Sequence, residues 1–288
     1  MQTLPGMPPP RPTGHAETFV DVPGGRLFLV ADGEGPPVIL VHSAIVDLRS
    51  WDAMVPYLAG AGYRVIRYDT RGFGRSTTED VEFSNRADLL AVLDARGIQK
   101  CAVVGNSRGA MIALDTVLEH PDRFVGFVWV GGGIGGFDSG EPTPEELALF
   151  NEADALEAKG DLDALADLEV RVWVDGVGQP EDRVPASIRD AVRDMDRPLL
   201  EPTRVMGKPI PLDPPANQRL GELRLPVLVV VGALDTSGTQ AAARRLAEAT
   251  GRARIVTLRN VAHMVGMEAP ERLAALVVQL VSGLPRWR

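Results

Sequence analysis

The chain has 288 residues, 45% of them hydrophobic and 24% charged, which suffices for one large domain with a full core and an insertion. A formal net charge of −9 repels nucleic acid and anionic membranes at long range. It argues only weakly against those partners, because a local basic patch can coexist with it. The single cysteine, Cys101, excludes an intramolecular disulfide and suits a reducing, cytoplasmic setting.

The opening MQTLPGMPPPRPTG carries neither a positive cluster at its start nor an apolar run, so residues 1–14 read as a loose arm and not as a signal or anchor. No stretch reaches the roughly 18 apolar residues needed to cross a bilayer. Alternation predicts strands over 17–22 and 26–31, joined by a turn at Pro23-Gly24-Gly25. The wholly apolar run 37–41 predicts a strand buried on both faces. A helix is expected over 51–61, a strand over 63–68, a helix over 84–96 ended by Gly97, and a strand over 101–104. A helix over 108–120, stopped by Pro121, and a strand over 124–130 follow. Cys101, opening an apolar run, reads as a buried strand residue.

The pattern changes at the glycine run 131–136, which reads as a hinge. Residues 141–197 are acidic and helical in tone; Leu147, Phe150, Leu156, Leu162 and Leu165 are expected on one apolar face, Trp173 and Val174 on another. Residues 198–220 are proline-rich and irregular. A strand over 226–231, a helix over 241–249, a strand over 253–258 and a helix over 270–281 close the chain. Strands alternating with helices after a hairpin argue for an α/β fold, a mostly parallel sheet flanked by helices. The expected division is a core of 15–134 plus 221–288 and a mainly helical cap inserted at 135–220.

Gly105-Asn106-Ser107-Arg108-Gly109 lies between an expected strand and an expected helix, the setting a nucleophile elbow requires. A serine hydroxyl attacks only when a base takes its proton, and a sharp turn lifts it clear of the sheet. Glycines on either side relieve the crowding of that turn, and the first helix amide, that of Arg108, faces the site where an oxyanion forms. Of the four histidines, His15 falls in the arm and His120 closes a helix. His42, Ser107 and His263 map to the carboxyl edge of the sheet, where sites collect. Asp235 follows a strand and can orient the imidazole, and the order Ser107, Asp235, His263 suits a triad. The loop His42-Ser43-Ala44 is placed to give a second oxyanion donor, the amide of Ala44 first and of Ser43 second, with the His42 ring bracing the loop.

These stretches together resemble the α/β-hydrolase superfamily, specifically esterase- or lactonase-like serine hydrolases with an inserted cap. Residues 38–44 resemble its oxyanion strand and loop. Asp69-Thr70-Arg71-Gly72-Phe73-Gly74-Arg75-Ser76 matches its D-x-R-G-x-G-x-S signature, and residues 105–109 its elbow. Residues 232–235 and 262–270 resemble its acid and histidine loops. Two positions depart from the pattern. Ser43 replaces the usual glycine, and Arg108 stands where the family often has an apolar or small residue; a cap carboxylate is its expected partner, ahead of an anionic substrate. The resemblance implies hydrolysis of a small-molecule ester or lactone through an acyl-enzyme without metal or cofactor. It also permits amides, carbon–carbon bonds beside a ketone, and a non-enzymatic ligand-binding relative. Phe137, Leu147, Phe150, Trp173 and Trp129 are the expected acyl-pocket residues. No dinucleotide loop is credited: residues 131–136 fit G-x-G-x-x-G but no helix follows at once. Metal-ligand spacing is absent, aromatic residues are too dispersed to stack nucleic acid, and nothing indicates an oligomeric state.

Overall fold

Apolar runs of five to seven residues, with β-branched side chains on both faces, can only bury themselves as central strands. The structure, a computed structural model that describes residues 15–251 and 253–284, builds its sheet from such runs. β1 (His15–Val22) and β2 (Gly25–Asp32) form the expected hairpin, turning at Gly24 with φ 69°. β3 (Pro37–Val41), β4 (Arg64–Tyr68), β7 (Cys101–Asn106), β8 (Phe124–Val130), β10 (Val227–Gly232) and β11 (Arg254–Leu258) complete the main path, in the order β1-β2-β4-β3-β7-β8-β10-β11. From β4 to β11 every neighbouring pair is parallel; β1 and β2 are antiparallel additions at one edge. Three two-residue strands were not expected from the sequence. β5 (Thr77–Thr78) joins β2, and β6 (Glu82–Phe83) pairs with β9 (Lys208–Pro209). Each is too short to show alternation.

The period of two splits each central strand between two cores. Ile39 and Val41 of β3 face one, with α2 (Asn85–Ala95), α3 (Arg108–Glu119) and α8 (Ser237–Thr250). Val38 and Leu40 face the other, with α1 (Val55–Gly60) and α9 (Pro270–Ser282). Cys101 is fully buried in β7, as expected. The helix expected over 51–61 is instead a 3-10 turn, Leu48–Trp51, followed by α1. Asp47 caps the turn by accepting from the Arg49 amide at 2.9 Å, which starts the winding earlier, and Pro56 sits in the first turn of α1.

Between β8 and β10 lies a helical cap: α4 (Pro144–Lys159), α5 (Leu162–Val170), a single π turn (Arg171–Asp175), α6 (Ala186–Asp196) and, further on, α7 (Ala216–Arg219). The single apolar face expected from Leu147 to Leu165 does not form. Leu147 is 46% exposed, α4 buries only Glu146, and Leu165 is buried on α5. α4 is fixed by polar contacts instead. Thr143 and Glu146 form a capping box, and Glu146 Oε1 also accepts from the Ser237 amide of α8 at 2.6 Å. The cap's own apolar cluster, Val170, Val174, Val184, Val192 and Met195, closes on Val46 and Met264, which flank the two loops at the carboxyl edge of the sheet. Among the described residues no helix is long and apolar enough to cross a membrane.

Candidate active site

β7 ends in the elbow. Ser107 has φ 54° and ψ −118°, a left-handed backbone that a β-carbon makes costly and that functional turns retain. A β-carbon at Gly105 would stand 2.3 Å from the Gly109 carbonyl oxygen, and one at Gly109 would stand 2.1 Å from that of Val41, so α3 leaves β7 this sharply only with glycine at both positions. The Ser107 amide donates to Val130 O at 2.9 Å, tying the turn to β8. The Arg108 amide opens α3, where a helix N–H has no partner within the helix.

The structure brings Asp235 and His263 together although 28 positions separate them in the chain. His263 Nδ1 lies 2.9 Å from each carboxylate oxygen of Asp235, whose side chain is fully buried. Asp235 Oδ1 also accepts the Thr236 amide at 2.8 Å. Nδ1 is therefore the ring nitrogen placed to donate to Asp235. Asn106, beside the serine, donates to the His263 carbonyl at 3.3 Å, a link that its place in the elbow does not announce.

Ser107 and His263 line one cleft of about 260 Å³ with Met111, Ile134, Phe137 and Trp173, and the backbone of Gly131, Gly132 and Gly133 forms its wall. Gly131, at φ 51°, lies so near the pair that a β-carbon there would come within 3.0 Å of Asp235 Oδ2. The glycine run thus makes room for Asp235 and His263. The five expected pocket residues separate. Phe137 and Trp173 line the cleft. Phe150 stacks on Trp173 at 6.4 Å. Leu147 is exposed on α4, and Trp129 is fully buried in β8. A larger groove, about 930 Å³, lies away from these groups between Glu17, Phe28, Arg49, Asp52 and Arg75; it contains neither Ser107 nor His263.

The loop after β3 is braced from behind. Buried His42 lies 2.7 Å from Ser43 O through Nδ1, and its Nε2 accepts the Thr70 amide at 3.0 Å. Those partners require a neutral ring with its proton on Nδ1. Ser43 is buried and Ala44 is exposed at the tip. The signature beginning at Asp69 supplies the rest of the brace. Asp69 accepts from the amides of Leu48 and Arg75 at 2.9 and 2.8 Å, and Arg71 forms a buried two-pronged pair with Asp88 at 2.6 and 2.9 Å. Arg108 does not pair with a cap carboxylate. Its guanidinium donates to Thr70 Oγ1 at 2.7 Å and Asn85 Oδ1 at 3.3 Å and lies 4.7 Å over the Phe73 ring. From its position in α3, the side chain meets the β4 loop and α2 before it can meet the cap.

Desolvation, the largest cause, lowers His42 from its ordinary 6.5 to about 4. The folded protein thus binds the proton less well than the unfolded chain, so stability from this group is complete above pH 6.5 and is lost as pH falls toward 4. The loss over that window is about 3 kcal/mol. Urea midpoints at pH 7 and pH 5 should separate more for the parent protein than for His42→Asn, and equal separations would refute the assignment.

The histidine loop has its own clamp to the cap. Arg183 pairs with Glu268 at 2.6 Å, both side chains being at most 5% exposed, and donates to Asn260 O at 3.0 Å and to Val174 O. Glu268 in turn accepts from the Ala262 amide at 3.0 Å. Arg183→Ala leaves a buried carboxylate unpaired and is expected to cost about 3 kcal/mol, read as a lower urea midpoint. A midpoint unchanged within error would show that the clamp carries no stability. Glu268 is read in the sequence only as part of the histidine loop and Arg183 not at all, because the pair is formed across 85 positions.

The model of the alpha/beta hydrolase family matches residues 38–276. The chain belongs to that family. This hydrolase is 30% identical over 279 residues to rhodomycin D methylesterase DauP of Streptomyces sp. (strain C5), covering 86% of this chain and 91% of the relative. It is 36% identical over 143 residues to epoxide hydrolase B of Mycobacterium tuberculosis, but there the match spans only 44% of the hydrolase and 40% of the relative's length. The crystal structure of bromoperoxidase from Bacillus anthracis superposes with a TM-score of 0.75 at 20% identity, covering 93% of the hydrolase and all of that chain, which shows a common fold. Among the described residues of the hydrolase, no group of three or more His, Cys, Asp or Glu side chains is placed to hold a metal ion.

Proposed function

We propose that this hydrolase cleaves a small-molecule carboxylic ester, or a lactone, through an acyl-enzyme on Ser107. The observation that carries the reading is the Asp235–His263 pair, joined at 2.9 Å through Nδ1, with His263 opening onto the same cleft as Ser107. Ser107 Oγ attacks the carbonyl carbon while His263 Nε2 takes its proton, and Asp235 stabilises the imidazolium. The amides of Arg108 and Ala44, with Ser43 as the alternative in the same loop, receive the oxyanion. His263 then protonates the leaving alkoxide, and a water activated by His263 frees the acid.

A methylesterase that aligns over nearly the whole chain supports ester chemistry. The partial match to an epoxide hydrolase does not favour epoxides for a serine nucleophile. A serine that opened an epoxide would be left as an alkyl ether, which has no acyl carbon for water to attack. The segment 135–220 acts as the cap, with Phe137 and Trp173 bounding a small acyl site. The test is labelling with a serine-directed fluorophosphonate, followed by turnover on a panel of alkyl esters, lactones and epoxides. Labelling that Ser107→Ala abolishes, with ester turnover, is expected. An unlabelled, inactive native protein would favour a ligand-binding role.

A further inference from the structure

Three neighbouring strands deliver the residues around the proposed oxyanion site. β3 lies between β4 and β7, with Val41 level with Tyr68 on one side and with Gly105 on the other. Residues 42–44, 69–73 and 107–108 therefore leave the sheet side by side. A continuous line of hydrogen bonds crosses them. Arg108 Nη1 donates to Thr70 Oγ1 at 2.7 Å. A guanidinium only donates, so the threonine oxygen accepts and keeps its own hydrogen for His42 Nε2, 3.2 Å away. The same nitrogen accepts the Thr70 amide at 3.0 Å, and Nδ1 on the other side of the ring donates to Ser43 O at 2.7 Å. From the cation onward, the donors run toward the Ser43 carbonyl. Phe73 makes a second link: its ring centre is 5.1 Å from that of His42 and 4.7 Å from the guanidinium carbon of Arg108. His42, Ser43, Thr70 and Phe73 are each at most 4% exposed, so water does not compete for these bonds.

The end of this line matters because of peptide geometry. The Ser43 carbonyl and the Ala44 amide N–H belong to one peptide unit. That unit is trans, since cis bonds among the described residues are confined to Asp213-Pro214, and in a planar trans peptide the N–H points opposite to the C=O. A proton held on Ser43 O from the His42 side therefore aims the Ala44 N–H away from that ring. It also polarises the peptide, which makes the N–H a stronger donor. The Ser43 N–H belongs to a different peptide unit and is not aimed by this bond.

We propose that the Arg108 side chain is a positioning residue for the oxyanion site: through Thr70 Oγ1 and the His42 ring it holds the Ser43–Ala44 peptide so that the Ala44 N–H, and not that of Ser43, meets the oxyanion beside the Arg108 N–H. The inference rests on the proposed attack by Ser107. One residue thereby serves both donors, the first with its own amide at the start of α3 and the second through its guanidinium. An apolar side chain at this position would still supply the amide, but it would leave the Thr70 hydroxyl with no donor to orient it.

The test compares the full-length parent with Thr70→Val, Arg108→Met, Arg108→Lys and the double variant Thr70→Val/Arg108→Met, all of which keep both amides. kcat and KM are measured on p-nitrophenyl acetate, and Ki for a trifluoromethyl ketone, whose carbonyl oxygen becomes an oxyanion when the serine adds to it. All values are referred to the fraction of sites that a fluorophosphonate labels at completion. Thr70→Val and Arg108→Met should each lower kcat and raise Ki by roughly ten- to thirtyfold, with KM within about twofold, a smaller effect than loss of a whole donor. Arg108→Lys retains a donor and should recover part of both. The double variant should lose little beyond Thr70→Val, because one line is cut twice. If Thr70→Val fails to fold, Thr70→Ala takes its place. Variants that lose only melting temperature, with kcat and Ki per labelled site like the parent's, overturn the proposal. So does an effect confined to Arg108→Met, because the Thr70 variant keeps the charge and cuts only the line. Labelling separates the two levels: labelled variants with unchanged constants defeat only the role of Arg108, whereas a parent neither labelled nor inhibited by the ketone defeats the serine mechanism beneath it.

Discussion

Ser107→Ala is expected to lower kcat on a cleaved ester by roughly 10⁴- to 10⁶-fold while leaving the fold intact. The loss is large because the nucleophile's oxygen is removed and the chemistry reverts to a water attacking an ester that is merely held in place. It is not total because the amides of Arg108 and Ala44 remain to receive the oxyanion. The melting temperature should hardly change. Ser107 donates its amide to Val130 O, and that bond, like the φ of 54°, belongs to the backbone and survives the substitution. Steady-state assays with the variant at high concentration, freed of parent enzyme, make the measurement. A fall of less than tenfold would mean that the ester is cleaved elsewhere on the molecule.

Asp235→Asn should lower kcat by about 10⁴-fold with little change in KM. Asp235 offers His263 two acceptor oxygens at 2.9 Å; in the proposed mechanism they hold the imidazole proton on Nδ1 and leave Nε2 to take the serine proton. An asparagine retains one acceptor, and the Thr236 amide already claims Oδ1 at 2.8 Å. The amide NH₂ then turns toward Nδ1, drives the proton to Nε2, and removes the base. The substitution also deletes the charge that stabilises the imidazolium in the transition state. The rate should recover in part at high pH, where hydroxide substitutes for general-base assistance. A variant within a few-fold of the parent at pH 7 would assign the acid role to another carboxylate.

The two effects are expected to be far from additive, because both remove parts of one proton transfer. The Arg183–Glu268 clamp and the His42 brace belong to a different class. They keep the loops carrying His263 and Ser43 in place, and their loss should appear first as reduced stability and only then as reduced rate.

How much of this was legible before any coordinates follows from distance along the chain. The elbow could be read because its requirements are local: a strand, two glycines around a serine, and a helix start within five residues. The parallel sheet could be read because its strands are apolar on both faces, a pattern that survives in one dimension. The cap could not be read as well. α4 is held by its capping box and by Glu146 on Ser237, not by an apolar stripe, so counting leucines misassigned its buried face. The partner of Arg108 was missed for a similar reason: many carboxylates lie in the cap sequence, but Thr70 and Asn85 lie beside the guanidinium in space.

By itself, the sequence determined the strand–helix alternation, the glycine-flanked turn at Ser107, and the order of Ser107, Asp235 and His263 along the chain. Each is set by φ/ψ preferences and by side-chain periodicity within a few residues. The tertiary structure alone decided which groups meet. The two Asp235 oxygens on the imidazole, the Asn106 link to the histidine loop, the Glu268–Arg183 clamp and the Trp173 indole beside His263 all join residues distant in the chain. Contacts of that kind depend on how helices and loops pack at the sheet's carboxyl edge, and packing is a property of three-dimensional shape that no local pattern encodes.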